Sequence, residues 1–261
     1  MLQVPCHRLN NPQVQYDQGF AVAGANTGRW DLRSKRFLRG NSNAPFHFVF
    51  LISPDLVLQN ITVNNYVRDF ITQITSTGVG RAVEGSRIYL QSTRQNELDS
   101  ALRSASALKI RPDVVILLLK AKSIPIYSTF KYLADCVYGL QSICMTEEKC
   151  LDARSVRKNR DGSVTGSLRG TPQYVGNIAM KANLKKGGVN HATELVQNVA
   201  KDTLVLGADV THPSPGALSG APSIAAVVGS LDGTGGKFVG ELSLQIKDRK
   251  RGMFKLSTSK I

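Results

Sequence analysis

Acidic residues are scarce in this chain. Nineteen Asp and Glu stand against 33 Lys and Arg among 261 residues, a formal net charge of +14. That excess points to an anionic partner, and nucleic acid comes before membrane because neither an amphipathic basic helix nor a long apolar span is evident. Cysteine is sparse too: four, at positions 6, 136, 144 and 150, none in a C-x-x-C pair. The four histidines, at 7, 47, 191 and 212, do not complete a zinc pattern, so reduced structural thiols are the expectation. Met1 to Arg8 lacks the apolar stretch of a secretory signal and no later run could span a bilayer, so a cytoplasmic location is expected. Neither G-x-G-x-x-G nor a P-loop lysine motif occurs, which argues against a generic free-nucleotide site. No internal repeat is present.

What remains is ordinary globular material. A hydrophobic content of 42% predicts a packed core, in one generous domain or two modest ones. The first 44 residues, rich in Asn, Gln, Gly and Arg, read as an extended lead-in segment. Phe46 to Ile52 is an apolar run of strand length. A helix is predicted from Asn60 to Thr77, with Ile61, Val67, Phe70, Ile71 and Ile74 on its buried side. Arg87 to Leu90 reads as a strand, Asn96 to Ala107 as a helix, and Asp113 to Leu119 as a fully buried strand. Strands alternating with helices predict an α/β fold, a Rossmann-like domain with a mostly parallel sheet flanked by helices on both faces. Ligands of such sheets lie beyond the carboxyl ends of the strands. The Lys120-Ala121-Lys122-Ser123 loop and Tyr127 come directly after the 113 to 119 strand.

Two helices carry paired side chains at i and i+4, which share a helix face. The first starts near Pro125, with Phe130, Leu133 and Val137 as its core stripe and Tyr127 and Lys131 on another face. The second takes Thr171 as N-cap, Pro172 as its first residue and Gly187 as its stop. Val175, Ile178 and Ala182 face its core, while Asn177, Lys181 and Lys185 form a separate stripe. An aromatic ring can stack a base, and clustered lysines can hold a phosphate. Each pair taken singly is also what a solvated face of a lysine-rich chain contains, and Tyr127 alone reads as an amphipathic tyrosine at the edge of the core. The polar stretch from Thr146 to Arg169 is expected to be a long mobile loop with solvated charges. After it come three predicted strands, Thr203 to Val210, Ser223 to Leu231 and Lys237 to Ile246, the last two joined as an antiparallel hairpin by the turn from Asp232 to Gly236.

The wording of four segments goes further: Ile124 to Lys131, Met180 to Asn190, Leu206-Gly207-Ala208-Asp209-Val210-Thr211-His212-Pro213, and Pro222 to Ser230. With these the chain resembles a eukaryotic Argonaute, most of all a fungal one. The resemblance implies a linker-type lead-in over 1–44 carrying Gly28-x-Trp30-Asp31-Leu32-Arg33, a MID domain over 45–198, and over 199–261 the first strands of an RNase H-like PIWI domain. It implies a role in RNA silencing, with the 5′-monophosphorylated end of a small guide RNA as ligand. Target RNA, met through the parent protein, and the remaining Argonaute domains would be further partners.

The resemblance also implies roles. Tyr127 would stack on the first base and approach the phosphate, which Lys131, Lys181 and Lys185 would hold. The loop of Lys120, Ala121, Lys122, Ser123 and Ile124 would face the edge of the first base, with uridine the favoured base and the residues themselves naming none. Many relatives place Gln directly before the cysteine matching Cys144, and this chain has Ile143 there. Three alternatives stay open: Gln141 substitutes, the backbone near Cys144 serves, or one contact is absent. A 5′ monophosphate carries about −1.5 to −2 charges, and each ammonium at 4 Å attracts a unit charge by roughly 4 kcal/mol before desolvation. Three converging lysines can therefore tell a phosphorylated end from a hydroxyl, with no cofactor.

The other reading is a metal-dependent RNase H-type slicer, with Mg²⁺ bound in the full-length parent. Asp209 matches that family's first catalytic aspartate, and a carboxylate in an apolar strand calls for a metal or another cation. Two-metal cleavage needs several converging carboxylates. Asp232, Glu241 and Asp248 are the only later ones, each with a plain place in a turn, on a strand face or in a basic tail. This chain is expected not to cut RNA, and His212 to be structural.

Overall fold

The structure, a computed structural model, describes residues 11–22, 32, 34–40, 43–200, 202–214, 216–217, 220–247 and 254–257. Of the lead-in motif only Leu32 falls among them, and Asp248 lies outside. The chain divides into two compact units, one of residues 15–191 and one of 192–261 with Pro12–Val14.

Described residues of the lead-in form two strands. Strands β1 (Gln13–Tyr16) and β2 (Gly19–Val22) pair across a tight turn. Further on, Phe37 N donates to Thr77 O at 2.8 Å and Arg39 exchanges backbone hydrogen bonds with Val189 at 2.9 and 2.8 Å.

The larger unit is built on β3 (Pro45–Ile52), α1 (Gln59–Ser76), β4 (Arg81–Tyr89), α2 (Gln95–Ser106), β5 (Val114–Leu119), α3 (Ile124–Lys131) and β6 (Ser142–Thr146). After β6 come the short hairpin strands β7 (Arg157–Lys158) and β8 (Val164–Thr165), then α4 (Thr171–Lys185). The four main strands pair in parallel in the order β4-β3-β5-β6, leaving β6 at one edge. Alternation along β3 sorts its side chains between two layers. Phe46, Phe48 and Phe50 meet Phe70 of α1 with ring centroids 6.3, 4.9 and 6.0 Å apart. Val49 and Leu51 point the other way, into a cluster with Leu98 and Leu102 of α2 and Phe130 of α3. All six residues of β5 are buried, as a central parallel strand requires.

Helix α1 buries Val63, Val67, Phe70 and Ile74 at alternating spacings of four and three. Ile61, expected inside, is two residues off that stripe and is exposed, and Ile71 is only half-buried. The N-cap of α1 is Leu58, which has no side-chain oxygen to offer. Glu147, from far along the chain, braces the entry to the helix instead: fully buried, it accepts from Val57 N at 2.6 Å, Leu58 N at 2.8 Å and the Thr62 hydroxyl. These bonds lie at the start of the segment over 146–169, expected to be a long mobile loop with solvated charges. The segment is anchored at its base by Glu147, crossed by a Leu151–Leu168 bridge, and folded into the β7–β8 hairpin.

The smaller unit comprises β9 (Ala192–Thr193), α5 (Glu194–Ala200), β10 (Leu206–Thr211), β11 (Ser223–Ser230), β12 (Phe238–Lys247) and β13 (Phe254–Ser257). The last four form an antiparallel sheet in chain order, one strand more than expected. Asp232 accepts from Thr234 N and Gly236 N at 3.3 and 3.4 Å, shaping the β11–β12 turn. Among the described residues no helix is long and apolar enough to cross a membrane.

Candidate functional site

Helices α3 and α4 flank the free edge of β6, and the two lysine-bearing faces meet there. Pro125 sits in the first turn of α3, where a missing N–H costs nothing. After Lys131 the helix widens into a π turn over Tyr132–Val137, closed by Tyr138 N donating to Leu133 O at 2.9 Å. The wider turn shifts the angular position of the later side chains about the helix axis. Val137, expected beside Phe130 and Leu133 in the core, is therefore exposed, while those two are buried.

Lys131 reaches the start of β6. Its Nζ donates to Ser142 O at 3.1 Å and to Ser142 Oγ at 2.7 Å, and pairs with Asp135 Oδ2 at 2.6 Å. Ser142 Oγ donates in turn to Asp135 Oδ1 at 2.7 Å. Neither Ser142 nor Asp135 stood out in the sequence, although Lys131 and Asp135 are spaced i, i+4.

Helix α4 is set from both ends. Its N-cap is Gly170 at φ 66°, a left-handed position that suits glycine, and Thr171 is the first helical residue rather than the cap. At the other end the buried Asn183 donates to Arg39 O at 3.1 Å and to Asn190 Oδ1 at 2.9 Å. Gly188 lets the lead-in pass, since a Cβ there would stand 2.6 Å from Arg39 O. So held, α4 leaves Lys181 exposed and Lys185 half-buried. Lys185 Nζ donates to Gln141 Oε1 at 3.2 Å. Burial, and then the neighbouring Lys131 ammonium, pull its pKa below the usual lysine range. Lys186 is turned away, paired with Asp113 Oδ1 at 2.7 Å and lying 5.6 Å over the Phe46 ring.

Cys144 sits within the field of Lys131 and Lys181. Burial nonetheless pushes its thiol up to about 12, so it stays protonated. Ile143, on the opposite face of β6, is buried and pairs with Ile116. Beside Cys144 opens a cavity of about 320 Å³ lined by Leu119, Lys122, Ser123, Ile124, Tyr127 and Thr146. Tyr127 is 49% exposed and stands at the cavity wall. The preceding loop is pinned, with Lys122 N donating to Glu148 Oε1 at 3.1 Å and Glu148 N to Lys120 O at 3.0 Å. Lys120 and Ala121 are exposed and outside the lining.

A family model for the Piwi domain matches residues 114–253, more than half of the chain. The chain belongs to the Piwi-domain family, that of the Argonautes. The argonaute protein of Schizosaccharomyces pombe is 28% identical over 246 residues, which are 91% of this chain and 27% of that protein. The chain thus spans about a quarter of the length of that relative. Among solved structures, the C-terminal lobe of a budding yeast Argonaute matches with a TM-score of 0.66 and 22% identity, over 91% of this chain and 48% of that one. The Argonaute of Kluyveromyces polysporus, solved with a guide RNA, matches at 0.67 and 21% over 91% of this chain and 29% of its own. The N. crassa QDE-2 MID-PIWI domains match at 0.59 and 23%, over 80% and 54%.

In this Argonaute-family chain the aspartate of the Gly-Ala-Asp-Val-Thr-His-Pro string behaves otherwise than its apolar strand suggested. Every residue of β10 is exposed, Asp209 included, so no burial penalty calls for a cation at its carboxylate. Across the strand pair it faces Ala226. Glu241 is exposed on β12, opposite Val227. Among the described residues no group of three or more His, Cys, Asp and Glu could hold a metal ion. His212 Nδ1 shares a 2.8 Å hydrogen bond with Ser223 Oγ, tying the end of β10 to the start of β11.

Proposed function

We propose that this chain anchors the 5′-monophosphorylated end of a small guide RNA in RNA silencing. Lys131, Lys181 and Lys185 hold the phosphate, and Tyr127 stacks on the first base over the adjoining cavity. One observation carries the reading: ammoniums from two helices gather at the edge of β6, next to a cavity walled by an exposed aromatic ring. A phosphate and its base need that combination, cations on one side and a stacking surface on the other. The match to an Argonaute solved with a guide RNA supports it at the level of fold. With this reading go a cytoplasmic site of action and, as partners, target RNA and the other Argonaute domains. The slicer reading has less support, because Asp209 is exposed and lacks convergent carboxylates among the described residues.

The test is a titration of the full chain with one RNA sequence carrying either a 5′ phosphate or a 5′ hydroxyl. The phosphorylated end should bind at least roughly tenfold more tightly, since hydrogen bonds to charged groups contribute about 1.5 to 3 kcal/mol. Equal affinities would overturn the proposal. A free 5′ nucleotide that excludes longer RNA would also do so, because a guide-end site must let the chain leave on its 3′ side.

A further inference from the structure

An ammonium has three N–H donors; that of Lys131 donates to Ser142 O and to Ser142 Oγ and is ion-paired with Asp135 Oδ2. A phosphate arriving at Lys131 must therefore compete with these partners for its ammonium. Ser142 cannot leave, because it is 1% exposed and its carbonyl belongs to the first residue of β6. Asp135 can. Its side chain is 36% exposed and it projects from the π turn beside the site.

We propose that Asp135 is a resident counter-ion that holds Lys131 in the empty site and is exchanged for the ligand's phosphate. The inference rests on the guide-end reading and adds to it a residue that sets the selectivity. Three ammoniums and one carboxylate leave two net positive charges, a match for the about −1.5 to −2 of a monophosphate. A 5′ hydroxyl brings no terminal charge to drive the exchange, so toward such an end Lys131 stays engaged with Asp135. The carboxylate also eases the mutual repulsion of the lysines, which acts on Lys185 in particular. Removing it should make the empty cluster less comfortable and the phosphate more welcome.

The experiment measures the affinity of the full chain for 5′-phosphorylated and 5′-hydroxyl RNA over a series of salt concentrations. Asp135→Asn should bind the phosphorylated RNA about two- to fivefold more tightly at low salt, the range an ion pair of this exposure is worth. The gain should shrink as salt rises. Asp135→Ser, a second neutral variant with a different shape, should behave alike, and Asp135→Glu should return to the wild-type affinity. Unchanged or weaker binding in both neutral variants, with the wild type still preferring the phosphate, overturns this inference and leaves the guide-end reading standing. A wild type that binds both ends alike overturns the guide-end reading, and the counter-ion role with it.

Discussion

Lys185 Nζ donates to Gln141 Oε1 at 3.2 Å, which ties the last turn of α4 to the residue just before β6. Gln141 thus lies within the lysine cluster, while Ile143 is committed to the core. We predict that Ala at Lys131, Lys181 or Lys185 weakens binding of 5′-phosphorylated RNA by roughly tenfold or more, in line with about 1.5 to 3 kcal/mol for a charged hydrogen bond. Lys158→Ala, on the exposed β7–β8 hairpin, should change it little. The comparison requires the 5′-hydroxyl RNA as reference, because loss of general affinity would lower both.

The depressed pKa of Lys185 gives a pH signature. Burial and Lys131 lower it in the folded chain, so between the lowered value and the ordinary one the unfolded chain binds more protons. Stability from this group is therefore poorest below the folded pKa and recovers as pH rises through it toward the ordinary lysine value. The ligand reverses the preference, because phosphate favours the ammonium. Melting temperatures with and without a 5′-phosphorylated RNA should show a ligand-induced rise that shrinks at alkaline pH. In Lys185→Arg, which stays charged, the rise should persist. A ligand shift that is flat across the alkaline range in the wild type would rule this out.

Tyr127 offers its ring to the cavity and donates its backbone N–H to Ser123 O at 2.9 Å as part of α3. Base stacking on an aromatic side chain is worth about 1 to 3 kcal/mol by alanine substitution. Tyr127→Ala should lose that much affinity for the first nucleotide and Tyr127→Phe far less. If both variants bind as the wild type does, the ring is a surface tyrosine and nothing more.

Local periodicity made much of this legible. Helix α1 and the shared faces of Tyr127 with Lys131 and of Lys181 with Lys185 come from spacings of three and four, and strands β3 and β5 from apolar runs of strand length. What stayed hidden depends on partners distant in sequence or on a change of helical pitch. Val137 left the core because the π turn altered the period on which its place depended. Ser142 and Asp135 belong to the site only because α3 runs beside β6. Glu147 looked like one more charge in a polar stretch, yet it holds the entry to a helix almost ninety residues earlier. The burial expected of the strand around Asp209 failed for a related reason, since an apolar strand is buried only if something packs on it, and β10 is exposed throughout.

Glu147 carries a prediction about stability. A fully buried carboxylate that accepts from two backbone N–H groups and a hydroxyl leaves all three unpartnered when it is removed. Glu147→Ala should cost about 2 to 3 kcal/mol in denaturant unfolding. Glu147→Gln, which retains one acceptor oxygen, should recover part of that. The effect belongs to the unit of residues 15–191, so the loss should appear in the unfolding of that unit. No change in its midpoint would mean that the entry to α1 does not depend on this carboxylate.

The last prediction concerns chemistry. Incubated with a guide, a paired target RNA and Mg²⁺ or Mn²⁺, this chain should leave the target intact. In-line displacement by two ions needs several carboxylates in fixed positions. Asp209 stands exposed on β10 opposite an alanine, Asp232 is occupied in a turn, and Glu241 lies on another strand opposite Val227. The three thus belong to separate elements of the sheet. The decisive control is Asp209→Asn. Cleavage at one guide-defined position in the wild type, abolished in that variant, would prove the aspartate catalytic and put the endonuclease reading ahead of the anchoring one.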